Sequence, residues 1–162
     1  MPVTDITPDV EGRTLTVVAD FAAPVDRVWQ VYADPRQLEQ VWGPPDYPAT
    51  FVEHSLTPGG RMVYYMTSPE GEKYYGYWEV GGVEEPRRFD FADGFATDEA
   101  GTPAPELPVS RATMTFEATD GGTRLTTVST YESAEALQQV LDMGVVEGTA
   151  GAMNQIDALL AA

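Results

Sequence analysis

The chain has 162 residues, of which 43% are hydrophobic and 22% are charged, as is typical of one globular domain that buries its own core. Nine Lys and Arg against 26 Asp and Glu give a formal net charge of −17. Such a charge repels phosphate backbones and anionic lipid headgroups, so we expect neither nucleic acid nor a membrane as a partner. The absence of cysteine excludes disulfides, thiolate ligands and a cysteine nucleophile. We expect a cytoplasmic protein.

The first part of the chain predicts a strand followed by two short helices. Residues 1–12 are expected to form an N-terminal extension, ahead of a single domain over 13–162. Alternating apolar and polar side chains indicate the strand, and apolar side chains at helical spacing behind Pro24 indicate the first helix. Asp34 precedes a proline, which ends that helix. In chain order, the predicted elements are a strand at 13–21, a helix at 22–34 and a helix at 36–42.

The middle of the chain predicts an antiparallel sheet. Its apolar-polar segments are separated by turns that are too short to hold crossover helices, and Asp120-Gly121-Gly122 is a strong hairpin signal. The segment 94–108 is rich in Gly, Pro and acidic residues, so we expect a mobile loop there, or a lid. The strands are predicted at 49–56, 61–68, 73–80, 87–93, 109–119 and 123–132.

The last segment, 133–161, predicts one long helix. Ser133 is a suitable N-cap, and apolar side chains then recur at three- and four-residue steps along one face. Gly144, Gly148 and Gly151 each disfavour a helix interior by about 1 kcal/mol against alanine, which indicates a bend, a close backbone approach or a break near Thr149. A sheet with one apolar face needs a cover. We therefore predict an α+β fold in which a curved antiparallel sheet wraps around the C-terminal helix and leaves a cavity between them.

Five stretches, in order along the chain, carry a resemblance to one known family. They are FAAPVDRVWQVYADPRQLEQVWGPP, LTPGGRMVYYM, SPEGEKYYGYWEV, DGGTRLTTVSTY and MGVVEG. Over about residues 14–161 they resemble the activator of heat-shock-protein-90 ATPase-like family of the SRPBCC (START-like, helix-grip) superfamily. The resemblance implies a helix-grip fold with a hydrophobic cavity between sheet and C-terminal helix. It does not carry over a specificity, because Thr149 stands where members often have tryptophan.

Strand alternation and helix periodicity assign a set of apolar and aromatic side chains to the cavity face. Aromatic rings and methionines suit an irregular apolar ligand, and plain core packing is the competing interpretation for each residue. Trp42 and Tyr47 lie in the stiff segment WGPPDYP, where they frame the mouth of the cavity unless Trp42 simply caps the core. The candidate ligand-binding residues are Trp42, Tyr47, Met62, Tyr64, Met66, Tyr74, Trp78, Phe89, Phe91, Met114, Phe116, Tyr131, Leu137, Leu141 and Val145.

Residues that suit catalysis are few. His54 is the only histidine of the chain and stands in a predicted strand beside Glu53. Together with Asp90 they are weak candidates for acid-base chemistry. Resemblance to polyketide cyclases of the same superfold implies that acidic residues could act with Tyr64 and Tyr131 if all were buried together. The sequence has neither a set of metal-ligand types at suitable spacing nor a P-loop, so we expect no metal and no cofactor.

Three functions follow, in order of preference. The first is binding of a small hydrophobic or aromatic molecule in the cavity, without catalysis. The second is a cyclase- or hydrolase-like enzyme for an aromatic, polyketide-like substrate, which is favoured if buried titratable groups meet in the cavity and weakened if His54 points to solvent. The third is a protein-interaction domain of co-chaperone type, or a homodimer, either of which needs an exposed apolar patch.

Overall fold

The computed structural model describes residues 2–161, which form one antiparallel sheet and a set of helices. The strands are β1 (Val3–Asp9), β2 (Thr14–Phe21), β3 (Ala49–Glu53), β4 (Arg61–Thr67), β5 (Lys73–Glu84), β6 (Arg88–Ala96), β7 (Ser110–Thr119) and β8 (Gly122–Tyr131). The helices are α1 (Val25–Ala33), α2 (Pro35–Trp42), α3 (Ala134–Asp142), α4 (Val145–Met153) and α5 (Ile156–Ala161).

The strand order in the sheet is β1-β2-β8-β7-β6-β5-β4-β3. All neighbours except β2 and β8 are consecutive in the chain, so short hairpins build most of the sheet. The helices α1 and α2 connect β2 near one edge with β3 at the other edge, and they therefore cross the sheet. The predicted α+β class and the helix-grip arrangement are confirmed.

Irregular pairing bends the sheet at several places. The register shifts between Phe51 and Glu53 where β3 pairs with β4, and between Val80 and Val83 where β5 pairs with β6. An extra residue in one strand of a pair bends that strand and increases its twist. The bent sheet can then curve around the helices that lie on it.

Local chemistry determines where α1 ends and α2 begins. Asp34 has an extended backbone with φ −105°, which stops α1, and its carboxylate accepts a hydrogen bond from the backbone N–H of Arg36 at 2.9 Å. Pro35 occupies the first turn of α2, where its missing N–H is not needed. The prediction of two short helices separated at Asp34-Pro35 is confirmed.

The core joins α1 to the centre of the sheet. Trp29 packs edge-on against Phe89 and Phe116, with ring centroids 5.6 and 5.1 Å apart. Val28 and Leu38, from α1 and α2, are completely buried in the same cluster. Burial of each such side chain contributes about 1.5–3 kcal/mol to folding, which holds the helix pair on the sheet.

The C-terminal helical segment is long, as predicted, and it consists of three parts. The N-cap prediction is confirmed, because Ser133 Oγ accepts a hydrogen bond from the N–H of Ala136 at 3.0 Å. The first break lies at Met143-Gly144, where Gly144 adopts φ +86°, and not at Thr149, which lies inside α4. A left-handed residue stops a right-handed helix, and glycine adopts that conformation without steric strain. None of the helices within 2–161 has the length and apolar character that a membrane span requires.

Two further segments differ from the sequence-based expectation. Residues Val3–Asp9, within the expected N-terminal extension, form β1 and pair with β2. This strand was missed because its side chains are mostly exposed, so it lacks an apolar alternation. The boundary between extension and domain stays a prediction.

The segment 94–108 contains more regular structure than a free loop. Strand β6 continues to Ala96, which forms a β-bridge with Pro103. The carboxylate of Asp98 accepts hydrogen bonds from the turn, including the N–H of Thr102 at 3.2 Å. Arg61 of β4 donates to two carbonyl oxygens of the same turn, at 3.0 and 2.6 Å. These bonds tie the segment to the sheet, and its expected mobility stays a prediction.

Candidate functional site

A cavity of about 370 Å³ lies between the sheet and the helices. Strands β2, β4, β6, β7 and β8 form its floor, and Tyr32 of α1, the helices α2, α3 and α4, and the residues after α2 form its other walls. Met143, which is 54% exposed, stands at the break between α3 and α4 and marks the rim of the cavity. The break in the C-terminal segment therefore lies at the cavity wall.

Aromatic rings form one side of this cavity. The ring centroid of Trp42 lies 5.9 Å from that of Tyr64 and 4.8 Å from that of Trp78, both in edge-on arrangements. Phe91 stacks on Trp78 with centroids 4.0 Å apart. Trp78 is completely buried and supports Trp42 and Phe91, which face the cavity. These contacts hold the lining rings in fixed positions.

The segment after α2 holds Trp42 in place. A side chain at Gly43 would overlap the carbonyl of Tyr47, so the backbone turns tightly there. Gln155, which precedes α5, donates from Nε2 to the carbonyl oxygen of Gly43 at 2.6 Å. The stiff proline-rich segment and the C-terminal helices thus position the indole. Trp42 lines the cavity and also packs on the core, so the two interpretations of this residue, a ring at the cavity and a cap on the core, both describe its position.

The structure divides the predicted ligand-binding residues into three groups. One group lines the cavity, namely Trp42, Tyr64, Met66, Phe91, Met114, Tyr131 and Val145. A second group packs within or against the core instead, namely Met62, Trp78, Phe89, Phe116, Leu137 and Leu141. That the first group binds a ligand stays a prediction.

The third group, Tyr47 and Tyr74, lies at the surface. Their side chains are 37% and 52% exposed, and their rings pair with each other 6.2 Å apart. Neither side chain lines the cavity, and their part in ligand binding stays a prediction. Tyr74 is on the expected side of β5 but near the start of that strand, where its ring is exposed to solvent. Strand alternation predicts the face of the sheet on which a side chain lies, but it does not predict whether another element packs over that side chain.

Asp93 is a residue of the cavity that the sequence analysis missed. It lies on β6 opposite Trp78 of β5 and Ser110 of β7, on the same face as Phe91. Among the described residues it is the only charged side chain that lines the cavity. Burial raises the pKa of Asp93 from 3.8 to about 7, because the apolar surroundings disfavour the carboxylate. Extending the alternation from Phe89 and Phe91 by one step would have found it.

The cavity contains further polar groups near Asp93. Burial, and secondly the charge of Asp93, raises the pKa of Tyr64 far above its usual range. The same two causes raise the pKa of Tyr131 to about 12. Both phenols therefore stay protonated at neutral pH and can donate or accept hydrogen bonds. Oγ1 of Thr127, also in the wall, has no partner within residues 2–161.

The predicted catalytic candidates lie outside the cavity. His54 Nε2 is 2.9 Å from the carbonyl oxygen of Tyr32, an interaction that orients the ring on the backbone. Glu53 is half-exposed and lies 3.9 Å from Arg61. Asp90 accepts a hydrogen bond from the N–H of Gly82 at 3.3 Å beside the bulge of β5. None of these three residues lines the cavity, and Asp90 points to the face of β6 opposite to that of Asp93. A catalytic role for them stays a prediction.

The described part of the chain contains no cluster of three or more His, Asp or Glu side chains that could hold a metal ion. The polar groups of the cavity are one carboxyl, several hydroxyls and backbone atoms. Such a set can bind, orient and exchange a proton with an organic molecule.

A bent antiparallel sheet around a C-terminal helical segment, with two helices inserted after β2, defines the helix-grip fold of START-like proteins. A family model described as Activator of Hsp90 ATPase homolog 1-like protein matches residues 22–161. The chain belongs to this family, as the sequence resemblance indicated. No curated protein matches it.

Solved structures of bacterial proteins share both sequence and fold with this chain. A crystal structure of a Mycobacterium smegmatis protein is 64% identical, covers 98% of this chain and 97% of its own, and has a TM-score of 0.90. A solution NMR structure of an Arthrobacter aurescens protein is 47% identical over 98% and 92% of the two chains, with a TM-score of 0.92. A Staphylococcus epidermidis protein is 29% identical over 98% and 94%, with a TM-score of 0.83.

Proposed function

We propose that this protein binds a small hydrophobic or aromatic molecule in the cavity between the sheet and the C-terminal helical segment. The composition of the wall carries this proposal: aromatic, methionine and aliphatic side chains dominate it, with few polar atoms. Its volume of about 370 Å³ is within the range of about 300–1,000 Å³ that small-molecule sites occupy. Folds of this kind commonly bind hydrophobic ligands.

A variant that fills the cavity tests the proposal. Thr149 of α4 lines the cavity, whereas Glu147 of the same helix is exposed to solvent. Thr149→Trp therefore adds an indole at the cavity wall, and Glu147→Trp adds the same group at the surface as a matched control. Native mass spectrometry of the purified protein and thermal shift against a panel of aromatic and aliphatic compounds supply the measurements.

We expect a co-purified mass, or a rise in melting temperature with one chemical class, for the wild type and Glu147→Trp. Thr149→Trp should lose both effects because its added ring occupies the binding volume. If no compound stabilises the wild type, or if Thr149→Trp responds like the control, the cavity is not a binding site and this function is refuted.

A second candidate function, acid-base catalysis on an aromatic substrate, has one observation in its favour. Asp93, Tyr64 and Tyr131 line the same cavity, and the pKa of Asp93, raised to about 7 by burial, suits a general acid or base at neutral pH. Its test is turnover of aromatic polyketide-like and ester substrates, followed by chromatography. Product from the wild type that disappears in Asp93→Asn supports catalysis, and intact substrate with the wild type contradicts it.

A further inference from the structure

We propose that the cavity selects small hydrophobic molecules that carry one protonated amine, and that the carboxylate of Asp93 receives this amine. The inference rests on the proposed function, since it names the ligand class of the same cavity. Its first support is the isolation of Asp93. Asp93 is half-buried in the cavity wall, and within residues 2–161 its carboxylate has neither an ion pair nor a hydrogen bond from another side chain. A carboxylate that is partly desolvated and has no partner is unfavourable, and a ligand cation would satisfy it.

The rest of the wall excludes the opposite charge. No Lys, Arg or His of the described chain lines the cavity, so nothing there would pair with a carboxylate or a phosphate. Asp93 would also repel such an anion in surroundings of low dielectric. Fatty acids and phosphorylated molecules are therefore poor ligands for this wall. A neutral ligand would leave the Asp93 charge uncompensated.

The aromatic side chains suit the same ligand. The rings of Trp42, Tyr64, Phe91 and Tyr131 line the cavity together with Asp93. An ammonium group is attracted to the faces of aromatic rings, most strongly where water is excluded. The phenol oxygens of Tyr64 and Tyr131 can accept further N–H bonds from the amine. The carboxylate can therefore pair with the charge of such a molecule, and the aromatic rings around it can pack against its hydrophobic body.

The net charge of the whole protein also favours a cationic ligand. The formal net charge of −17 raises the local concentration of cations and lowers that of anions near the surface. One carboxyl in a cavity of about 370 Å³ matches one amine on a compact hydrophobic body, and not a polyamine. Size and charge together specify a small monoamine.

A panel of matched compounds tests the inference. Phenylethyl, naphthylethyl and n-octyl bodies are each used with an amine, an alcohol and a carboxylate head group, and affinities are measured by isothermal titration calorimetry near pH 8. We expect the amine of at least one body to bind the wild type about 10- to 100-fold more tightly than its alcohol, as is typical of a hydrogen bond to a charged group. Asp93→Asn should reduce the amine to the affinity of the alcohol. Asp90→Asn, a change on the outer face of the same strand, should leave the preference intact.

The pH dependence supplies a second readout. Tyr64 on β4 and Tyr131 on β8 line the cavity together with Asp93, and Tyr32 lines it from α1. Tyr77 lies on β5 on the opposite face of the sheet. Burial raises the pKa of each of these phenols, so they stay neutral near pH 7. Alkyl amines, with a pKa of about 10, stay charged. The carboxyl of Asp93, whose pKa is about 7, must lose its proton to pair with the amine. The affinity of the wild type for the amine should therefore fall roughly tenfold from pH 8 to pH 6, and the affinity of Asp93→Asn should stay constant.

The outcomes separate the two proposals. If alcohols bind the wild type as tightly as amines, or Asp93→Asn keeps the amine preference, the inference is overturned and the binding function stands. If no head group on any body binds, both are overturned.

Discussion

The pH dependence of stability gives the sharpest test of the position of Asp93. Burial raises the pKa of this carboxyl from 3.8 to about 7 in the folded protein, and the unfolded chain keeps the lower value. Between these two values the folded state binds more protons than the unfolded state, so stability falls as pH rises through this window. Well below pH 3.8, Asp93 is protonated in both states and does not lower the free energy of unfolding. Well above pH 7, it is ionised in both states and the full decrease in stability is present.

The magnitude follows from the size of the shift. Each pKa unit corresponds to about 1.4 kcal/mol, so ionised Asp93 lowers the free energy of unfolding by about 4 kcal/mol at pH 8. At pH 5 the same relation gives a loss of about 2 kcal/mol. Asp93→Asn removes the titrating group and keeps the shape of the side chain. The stability of the variant relative to the wild type should therefore be about 2 to 3 kcal/mol greater at pH 8 than at pH 5.

Urea denaturation of both proteins at the two pH values measures this difference. Asn can have a constant cost of its own in the cavity, so only the change with pH is diagnostic. Asp90→Asn, on the same strand, controls for the general loss of an aspartate from an acidic protein. A relative stability that is equal at both pH values, or an equal change in Asp90→Asn, would refute the argument that the cavity raises the pKa of Asp93.

Two further predictions concern the cavity and its wall. Phe91→Ala should lower the free energy of unfolding by about 3–5 kcal/mol, because it removes a buried ring that stacks 4.0 Å from Trp78; a loss below about 1 kcal/mol in urea denaturation would mean that the site collapses. Gly144→Ala should lower stability by about 1–2 kcal/mol because φ is +86° there. Gly148→Ala, in helix α4 with nothing within 4 Å of the added carbon, should raise it by about 0.5–1 kcal/mol. If thermal and urea unfolding show that both glycine variants change the stability in the same direction, the break at Gly144 is contradicted.

The sequence by itself determined the fold class and the order of the elements from β2 to the C-terminal helical segment, but it missed β1 and the division of that segment into three helices. Local patterns are sufficient for this, because alternation, helical spacing and breakers act within a few residues. The strand at 13–21, the break at Asp34-Pro35 and the cap at Ser133 were all predicted from neighbours in the chain and are confirmed. The family followed from five stretches in order and is also confirmed.

The candidate site was predicted only in part. Alternation correctly placed Phe91 and Met114 on the face that meets the cavity, since this depends on the period of the strand alone. It could not separate them from Trp78 or Phe89 in the core, nor from Tyr74 at the surface. Whether a side chain meets core, cavity or solvent depends on which helix crosses above it, and the crossing helices come from distant parts of the chain.

Asp93 illustrates the same division. The strand alternation of the sequence includes Asp93, but nothing in the sequence distinguishes it from the other acidic residues, of which the chain has 26 in total. Only the tertiary structure brings Trp42 from α2, Tyr64 from β4 and Tyr131 from β8 around it. Its raised pKa is therefore a property of the assembled cavity, because desolvation comes from groups that are far apart in sequence and meet only when the sheet closes on the C-terminal helices.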